Sequence, residues 1–353
     1  MAGAASSGQA GASPGADDAP VVAAGSGRMG RSMAVAFAIA GRAAVMLDLK
    51  ARDDAGVLAQ GTAARAEVDG HLATLVRIGL LDAGVVDTVR GRISFVAREA
   101  ADSVLGSAPI VLEGVPERLD AKREAFAFIE ARAPADAVIA STTSSFLSTD
   151  LAGMLERPAR FLNAHWLNPA YLIPIVEVSP HEGTAPGARA RLVAALEAIG
   201  KVPVMCAPRP GYIVPRLQAL VMNEAARMVD EGVASAEEID RAVRLGFGMR
   251  YASMGLLEFV DFGGVDILYY ASRYMAEKVD AARYAVPDNV AALMAAGNVG
   301  LRSGKGFYDW TKIDADAYRA DVMGRFLALL RHQGALPRLA DSAPAGPDGD
   351  ARC

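Results

Sequence analysis

The chain has 353 residues, 52% of them hydrophobic, enough for two domains with cores of their own and too apolar for a disordered polypeptide. Its formal charge is -5, and Lys and Arg are scattered, so no basic block can follow a nucleic-acid backbone and nucleic acid is not an expected partner. Cys206 and Cys353 are too few for a disulfide framework and form no zinc-spaced cluster with histidine, so no metal is expected and a reducing, cytoplasmic setting fits.

Residues 1–19 lack the basic start and apolar core of a secretory signal and read as a flexible Ala/Gly/Ser tail; residues 336–353 read as a second loose tail. No run reaches the roughly eighteen apolar residues a membrane span needs. From residue 20 to 207, short apolar runs alternate with helical patterns: "PVVAA", "AAVMLD", "RISFV", "APIVLE", "AVIAS", "RFLNA", "PIVEV" and "VPVMC". This alternation predicts an α/β fold, a doubly wound parallel sheet of Rossmann type. Residues 51–90 read as two long helices inserted between early strands. After "APRPG" the pattern is helical almost throughout, predicting an all-α C-terminal domain over 208–335, with helices near 215–230, 235–246, 263–281 and 287–296. In the second of these, Ser235 and Glu238 have capping-box spacing and Gly246 ends the helix.

The first strand runs straight into "GSGRMG", a G-x-G-x-x-G that opens a helix. Gly25 allows the tight turn, Gly27 lets a pyrophosphate approach the backbone, and Gly30 lets helix and strand pack closely, with Arg28 and Met29 between the last two. The helix N-terminus offers free N–H groups to phosphate. Asp48 ends the second strand, twenty-three residues after Gly25, where a carboxylate accepts from ribose hydroxyls and repels a 2′-phosphate. NAD is the expected cofactor, although Lys50 and Arg52 lie close enough to offset part of that repulsion.

Of four histidines, His165 stands out because it closes the strand "RFLNAH", at the edge where open α/β sheets bind ligands. In "IPIVEV", side chains alternate between faces, and Glu177 has apolar neighbours on either face. A buried carboxylate needs a partner, and His165 is the nearest in sequence. Such a pair suits alcohol oxidation, in which a base takes the hydroxyl proton as hydride leaves carbon. Spacing alone leaves open a plainer arrangement, in which His165 caps a turn and Glu177 binds a backbone N–H. Ser144 and Ser145 follow another strand; a serine there can bond a substrate oxygen or equally cap the helix that begins near Thr149.

Together, "AAGSGRMGRSMA", "VLEGVPERLDAKREAF", "STTSSFL", "ERPARFLNAHWLNPAYLIPIVEV", "RPGYIVPRL" and "GNVGLRSGKGFYDW" resemble the 3-hydroxyacyl-CoA dehydrogenase family over nearly all of residues 20–310. The resemblance implies an NAD-binding domain followed by a helical domain that also forms a homodimer. It implies that His165 is the general base, Glu177 its orienting carboxylate and Ser144 a hydrogen-bond partner of the substrate's 3-oxygen. Glu113 and Lys122 match positions that line the cofactor site. The implied reaction is NAD-dependent oxidation of a short-chain L-3-hydroxyacyl-CoA.

Two departures stand out. Where the family reads P-G-F-x-x-N-R, this chain has "PGYIVPR", so Pro215 replaces a substrate-holding asparagine, and Asn168 is the candidate to take part of its role. Thr142 likewise replaces the asparagine of "NTSS". "VSPHEGTAP" and "GFGMRYASMGLLE" look more like the branch with lambda-crystallin and L-gulonate 3-dehydrogenase, which act on free hydroxy acids, and the inserted helices hold no lysine cluster for CoA. A free 3-hydroxy acid is therefore the alternative substrate, and a dinucleotide-binding protein without catalysis the alternative of another class.

Overall fold

The computed structural model describes residues 19–337; the two expected tails lie outside them, apart from Ala19, Leu336 and Pro337. The strands are β1 (Val21–Ala24), β2 (Ala44–Leu47), β3 (Ile93–Val96), β4 (Ile110–Glu113), β5 (Val138–Ser141), β6 (Phe161–Trp166), β7 (Ile175–Pro180) and β8 (Val202–Met205). They form one sheet in the order β3-β2-β1-β4-β5-β6-β7-β8. The first seven helices are α1 (Arg28–Ile39), α2 (Asp54–Arg77), α3 (Val86–Gly91), α4 (Asp102–Leu105), α5 (Leu119–Glu130), α6 (Ser148–Ala152) and α7 (Pro186–Glu197).

Alternation along each strand feeds two cores. Val21, Ala23, Met46, Leu112 and Ala140 face one side with α1 and α2, whereas Val22, Ala24, Val45, Leu47, Val111 and Ile139 face the other with α5. All eight expected strands form, but the sheet is not wholly parallel: β7 runs antiparallel to β6, and β8 follows the direction of β7. A parallel neighbour needs a crossover of a dozen residues or more, and residues 167–174 are too few to supply it. The inserted region also departs from the expected pair of long helices. Only α2 is long; a single 3-10 turn at Ala83–Val85 and the six-residue α3 follow it.

The remaining helices are α8 (Val214–Asp230), α9 (Ala236–Ala242), α10 (Gly248–Ser253), α11 (Leu256–Gly263), α12 (Val265–Lys278), α13 (Asp288–Ala295) and α14 (Ala315–His332). By its internal contacts the chain divides into two compact units between Val221 and Met222, within α8. The first turn of α8 is bound to the sheet, because Glu177 accepts hydrogen bonds from the N–H groups of Ile213 and Val214. Ser235 caps α9 by accepting from Glu238 N at 3.3 Å. Gly246, however, does not end this helix; it lies in a π-helical turn, Val243–Phe247, that leads into α10. The helix expected near 263–281 forms as α12, set off from α11 by Gly264, whose φ of 119° no other residue type adopts readily.

Candidate active site

The parallel strands β1, β4, β5 and β6 all end on one edge of the sheet, and the order reverses between β1 and β4, the switch point where such sheets bind ligands. The glycine turn lies there. Gly25 has φ 122°, and a Cβ on it would stand 2.7 Å from Gly114 O. A Cβ on Gly30 would stand 1.9 Å from Gly25 O, so this buried glycine shapes the turn and does not touch the cavity in front of it. Gly27, the N-cap of α1, is the contrasting case: a Cβ there would meet nothing within 4 Å. The protein leaves open the one approach that a pyrophosphate would fill.

In front of the turn is a cavity of about 900 Å³, lined among others by Gly25, Gly27, Arg28, Met29 and Asp48. Asp48 is 4% exposed and accepts from Arg52 Nε at 2.5 Å, so its carboxylate is oriented by its neighbour. A dinucleotide fits this donor set: phosphate at the α1 N-terminus and ribose at Asp48.

Glu113 and Lys122, expected to line the cofactor site, instead lie beneath it, both fully buried and outside the cavity lining. Lys122 Nζ is 3.0 and 3.1 Å from the Glu113 oxygens, and Ser141 Oγ donates to Glu113 at 2.5 Å. A buried ammonium requires this pairing. Lys122 also stands 3.3 Å from Glu117, a residue the sequence reading passed over. Glu117 accepts from Thr143 Oγ1 at 2.6 Å, from the N–H groups of Ser144 and Ser145 at 2.9 and 3.0 Å, and from Ser145 Oγ at 2.7 Å. Burial alone would raise its pKa, but the hydrogen bonds from Thr143 and Ser145 and the charge of Lys122 hold it at about 2. A carboxylate therefore fixes the "TTSS" loop, and Ser144 does not cap α6, whose N-cap is Leu147. A signal was available in the sequence: four successive hydroxyl residues, Thr142 to Ser145, follow a strand and call for an acceptor.

His165 and Glu177 face each other directly across the β6–β7 pair. Nδ1 of His165 and Oε2 of Glu177 are 2.7 Å apart; Glu177 is fully buried and His165 is 6% exposed. The other oxygen of Glu177 accepts from Ile213 N at 2.8 Å and Val214 N at 2.7 Å. Glu177 thus binds the imidazole and also two backbone N–H groups, which belong to the start of a helix and not to a strand edge. Tyr212 stacks on His165, with centroids 5.1 Å apart and planes within 8°. Pro215 sits in the first turn of α8, where its missing N–H has no partner to lose. Asn168 is exposed, on the turn that follows β6.

"GLRSGKGFYDW", in the second unit, has a structural part. Asp261, 1% exposed, accepts from Phe307 N, Tyr308 N and Trp310 Nε1 at 2.9, 2.9 and 2.8 Å and clasps this loop.

Two family models match the chain: 3-hydroxyacyl-CoA dehydrogenase, NAD binding domain, over residues 20–209, and 3-hydroxyacyl-CoA dehydrogenase, C-terminal domain, over residues 211–310. Lambda-crystallin of Oryctolagus cuniculus is 33% identical over 264 residues, 74% of this chain and 80% of that protein. L-carnitine dehydrogenase of Streptomyces coelicolor is 37% identical over 199 residues, 56% of this chain and 61% of its own. Among solved structures, a 3-hydroxyacyl-CoA dehydrogenase from Archaeoglobus fulgidus superposes with a TM-score of 0.71 at 29% identity, covering 90% of this chain and all of that one.

Proposed function

The chain belongs to the NAD-dependent 3-hydroxyacyl-CoA dehydrogenase family, and on that premise we propose that it oxidises the 3-hydroxyl of a short-chain L-3-hydroxyacyl-CoA. The observation that carries this reading is the buried His165–Glu177 contact, on the same sheet edge as the dinucleotide turn. With Nδ1–H donated to Glu177, His165 presents Nε2 as the base that takes the hydroxyl proton. Glu177 stabilises the imidazolium that results, and its own position is held by two backbone N–H groups. Ser144, on a loop fixed by Glu117, hydrogen-bonds the 3-oxygen. NAD held at the Gly25–Gly27 turn and Asp48 would supply the hydride acceptor. His165→Gln is expected to abolish turnover while NADH still binds; near-parental turnover would overturn the assignment.

A second reading, oxidation of a free 3-hydroxy acid, draws on the state of the cations in α1–α3. Arg31 pairs with Glu67, and Arg90 with Asp69 and Asp87, so two of the arginines in these helices already have carboxylate partners. The relatives that carry the names lambda-crystallin and L-carnitine dehydrogenase support the same reading. NADH formation from matched pairs of 3-hydroxybutyryl-CoA and free 3-hydroxy acids decides between them: turnover of the free acids alone excludes the CoA reading.

No helix among the described residues is long and apolar enough to cross a membrane. The proposed setting is cytoplasmic. The proposed assembly is a homodimer through the helical domain: Ile267, Tyr270 and Tyr274 form one face of α12 and are 60 to 65% exposed, an apolar stripe that a second copy would cover. Sedimentation as a monomer would exclude it.

A further inference from the structure

The turn between β8 and α8 carries an arrangement that the proton transfer itself does not use. Among the described residues, Tyr212 is the one non-glycine with positive φ, at 45°, directly after Gly211 at 79°. A ring-bearing side chain is strained in that backbone conformation, which persists only where the surroundings impose it. Here they do so from two directions. The ring stacks on the imidazole of His165. The hydroxyl accepts from Asn163 Nδ2 at 3.0 Å and donates to the carbonyl of Thr143 at 3.0 Å, with Phe146 O at 3.3 Å as a second acceptor. The next two residues, Ile213 and Val214, give their N–H groups to Glu177. Three consecutive residues therefore touch the face of the imidazole, the outer oxygen of its carboxylate partner, and the carbonyl one residue before Ser144.

We propose that Tyr212 is a positioning residue for the dehydrogenase site: its ring sets the plane of His165, and its hydroxyl ties the Thr143–Ser145 loop to that ring, so that base and serine move as one unit. The proposal rests on the roles given above to His165 and Ser144. A residue that only filled space would need no hydroxyl, and the phenylalanine of the P-G-F pattern would serve. Burial pushes the phenol's pKa up, so the hydroxyl keeps the proton it donates to Thr143.

The test is Tyr212→Phe, which keeps the ring and the stacking and removes only the hydroxyl. Its kcat is expected to fall about tenfold, the scale of one or two neutral hydrogen bonds, while the Kd for NADH stays at the parental value because the cofactor cavity is untouched. Tyr212→Leu, which removes the stacked ring as well, is expected to shift the pH profile of kcat/KM, whereas Tyr212→Phe leaves the profile in place. Parental kcat in Tyr212→Phe overturns the proposal, as does an equal loss of kcat and NADH binding, which marks a merely structural part. Should Tyr212→Phe fail to fold, Asn163→Val removes the hydroxyl's donor with Tyr212 in place, and the same split between kcat and NADH affinity is expected; its absence overturns the proposal. His165→Gln separates the two levels. If that variant turns over, the base assignment fails; if it is inactive while Tyr212→Phe is unaltered, only the positioning proposal fails.

Discussion

Glu177→Gln isolates what the carboxylate contributes to chemistry from what it contributes to folding. The amide has the same size, and its carbonyl can still accept from the N–H groups of Ile213 and Val214, which stand 2.8 and 2.7 Å from the native Oε1. These two donors fix the amide's orientation, so its NH2 must face His165 Nδ1. Nδ1 then becomes an acceptor, the ring proton moves to Nε2, and the base is blocked. Flipping the amide to restore the tautomer sets an NH2 against two N–H donors, at a cost of about 2 kcal/mol. The variant also lacks the negative charge that stabilises the imidazolium; at an effective dielectric constant near 20 and roughly 4 Å between charge centres, that is about 4 kcal/mol. The charge effect alone corresponds to roughly three decades in rate. The expected result is a kcat lower by about a thousandfold or more, read from NADH absorbance at saturating substrate, with the far-ultraviolet dichroism and NADH affinity of the parent. A kcat within about tenfold of the parent, in a variant that folds and binds NADH, would refute the reasoning and leave Glu177 with a helix-capping part alone.

Three further outcomes follow from the same geometry. Gly27→Ala is expected to melt at the parental temperature, because its Cβ meets no protein atom within 4 Å, yet to bind NADH at least about tenfold more weakly in a fluorescence titration; unchanged affinity would remove the pyrophosphate from this turn. Glu117 has a folded pKa of about 2 against an ordinary 4.5, so its contribution is complete above pH 4.5 and is lost as the pH falls toward 2. With its side chain 35% exposed, solvent screening reduces that contribution to about 1 to 2 kcal/mol, and Glu117→Gln should flatten the acid limb of the stability curve by that amount; an unaltered acid limb contradicts the assignment. Asp261→Ala leaves three donors without an acceptor and should cost about 3 to 5 kcal/mol in urea denaturation followed by tryptophan fluorescence; a loss below about 1 kcal/mol would show that the clasp is not what holds the loop.

Much of the sheet was legible in the sequence because β1, β2, β4, β5 and β6 are buried on both faces, and such strands read as short, nearly continuous apolar runs. The direction of β7 was not. Apolar alternation is the same whichever way a strand runs, and only the length of the 167–174 connection distinguishes the cases. In the helical unit, Gly246 resembles a stop signal, but glycine is also tolerated within a π turn, and here the turn runs directly on into α10.

The candidate site divides along the same line. Gly25, Gly27, Asp48, His165 and Glu177 were visible because each breaks a local rule: glycines where a strand turns into a helix, a carboxylate in an apolar run. Glu117 and Tyr212 break none. An exposed-looking glutamate ahead of an amphipathic helix, and a tyrosine after Pro-Gly, are ordinary in sequence, and each acquires its partners only through sheet order. β4 lies beside β5, which sets Glu117 under the hydroxyls of residues 143–145, and β6 lies beside β5, which brings Asn163 and Thr143 within reach of one phenol. Apart from Glu177, the residues legible beforehand are those expected to touch cofactor and substrate, whereas those found only in the fold hold the first group in place. Hence the two groups should separate in experiment: changes at Gly27 weaken NADH binding and changes at His165 abolish turnover, whereas changes at Glu117 or Tyr212 weaken the precision with which base and serine meet the substrate.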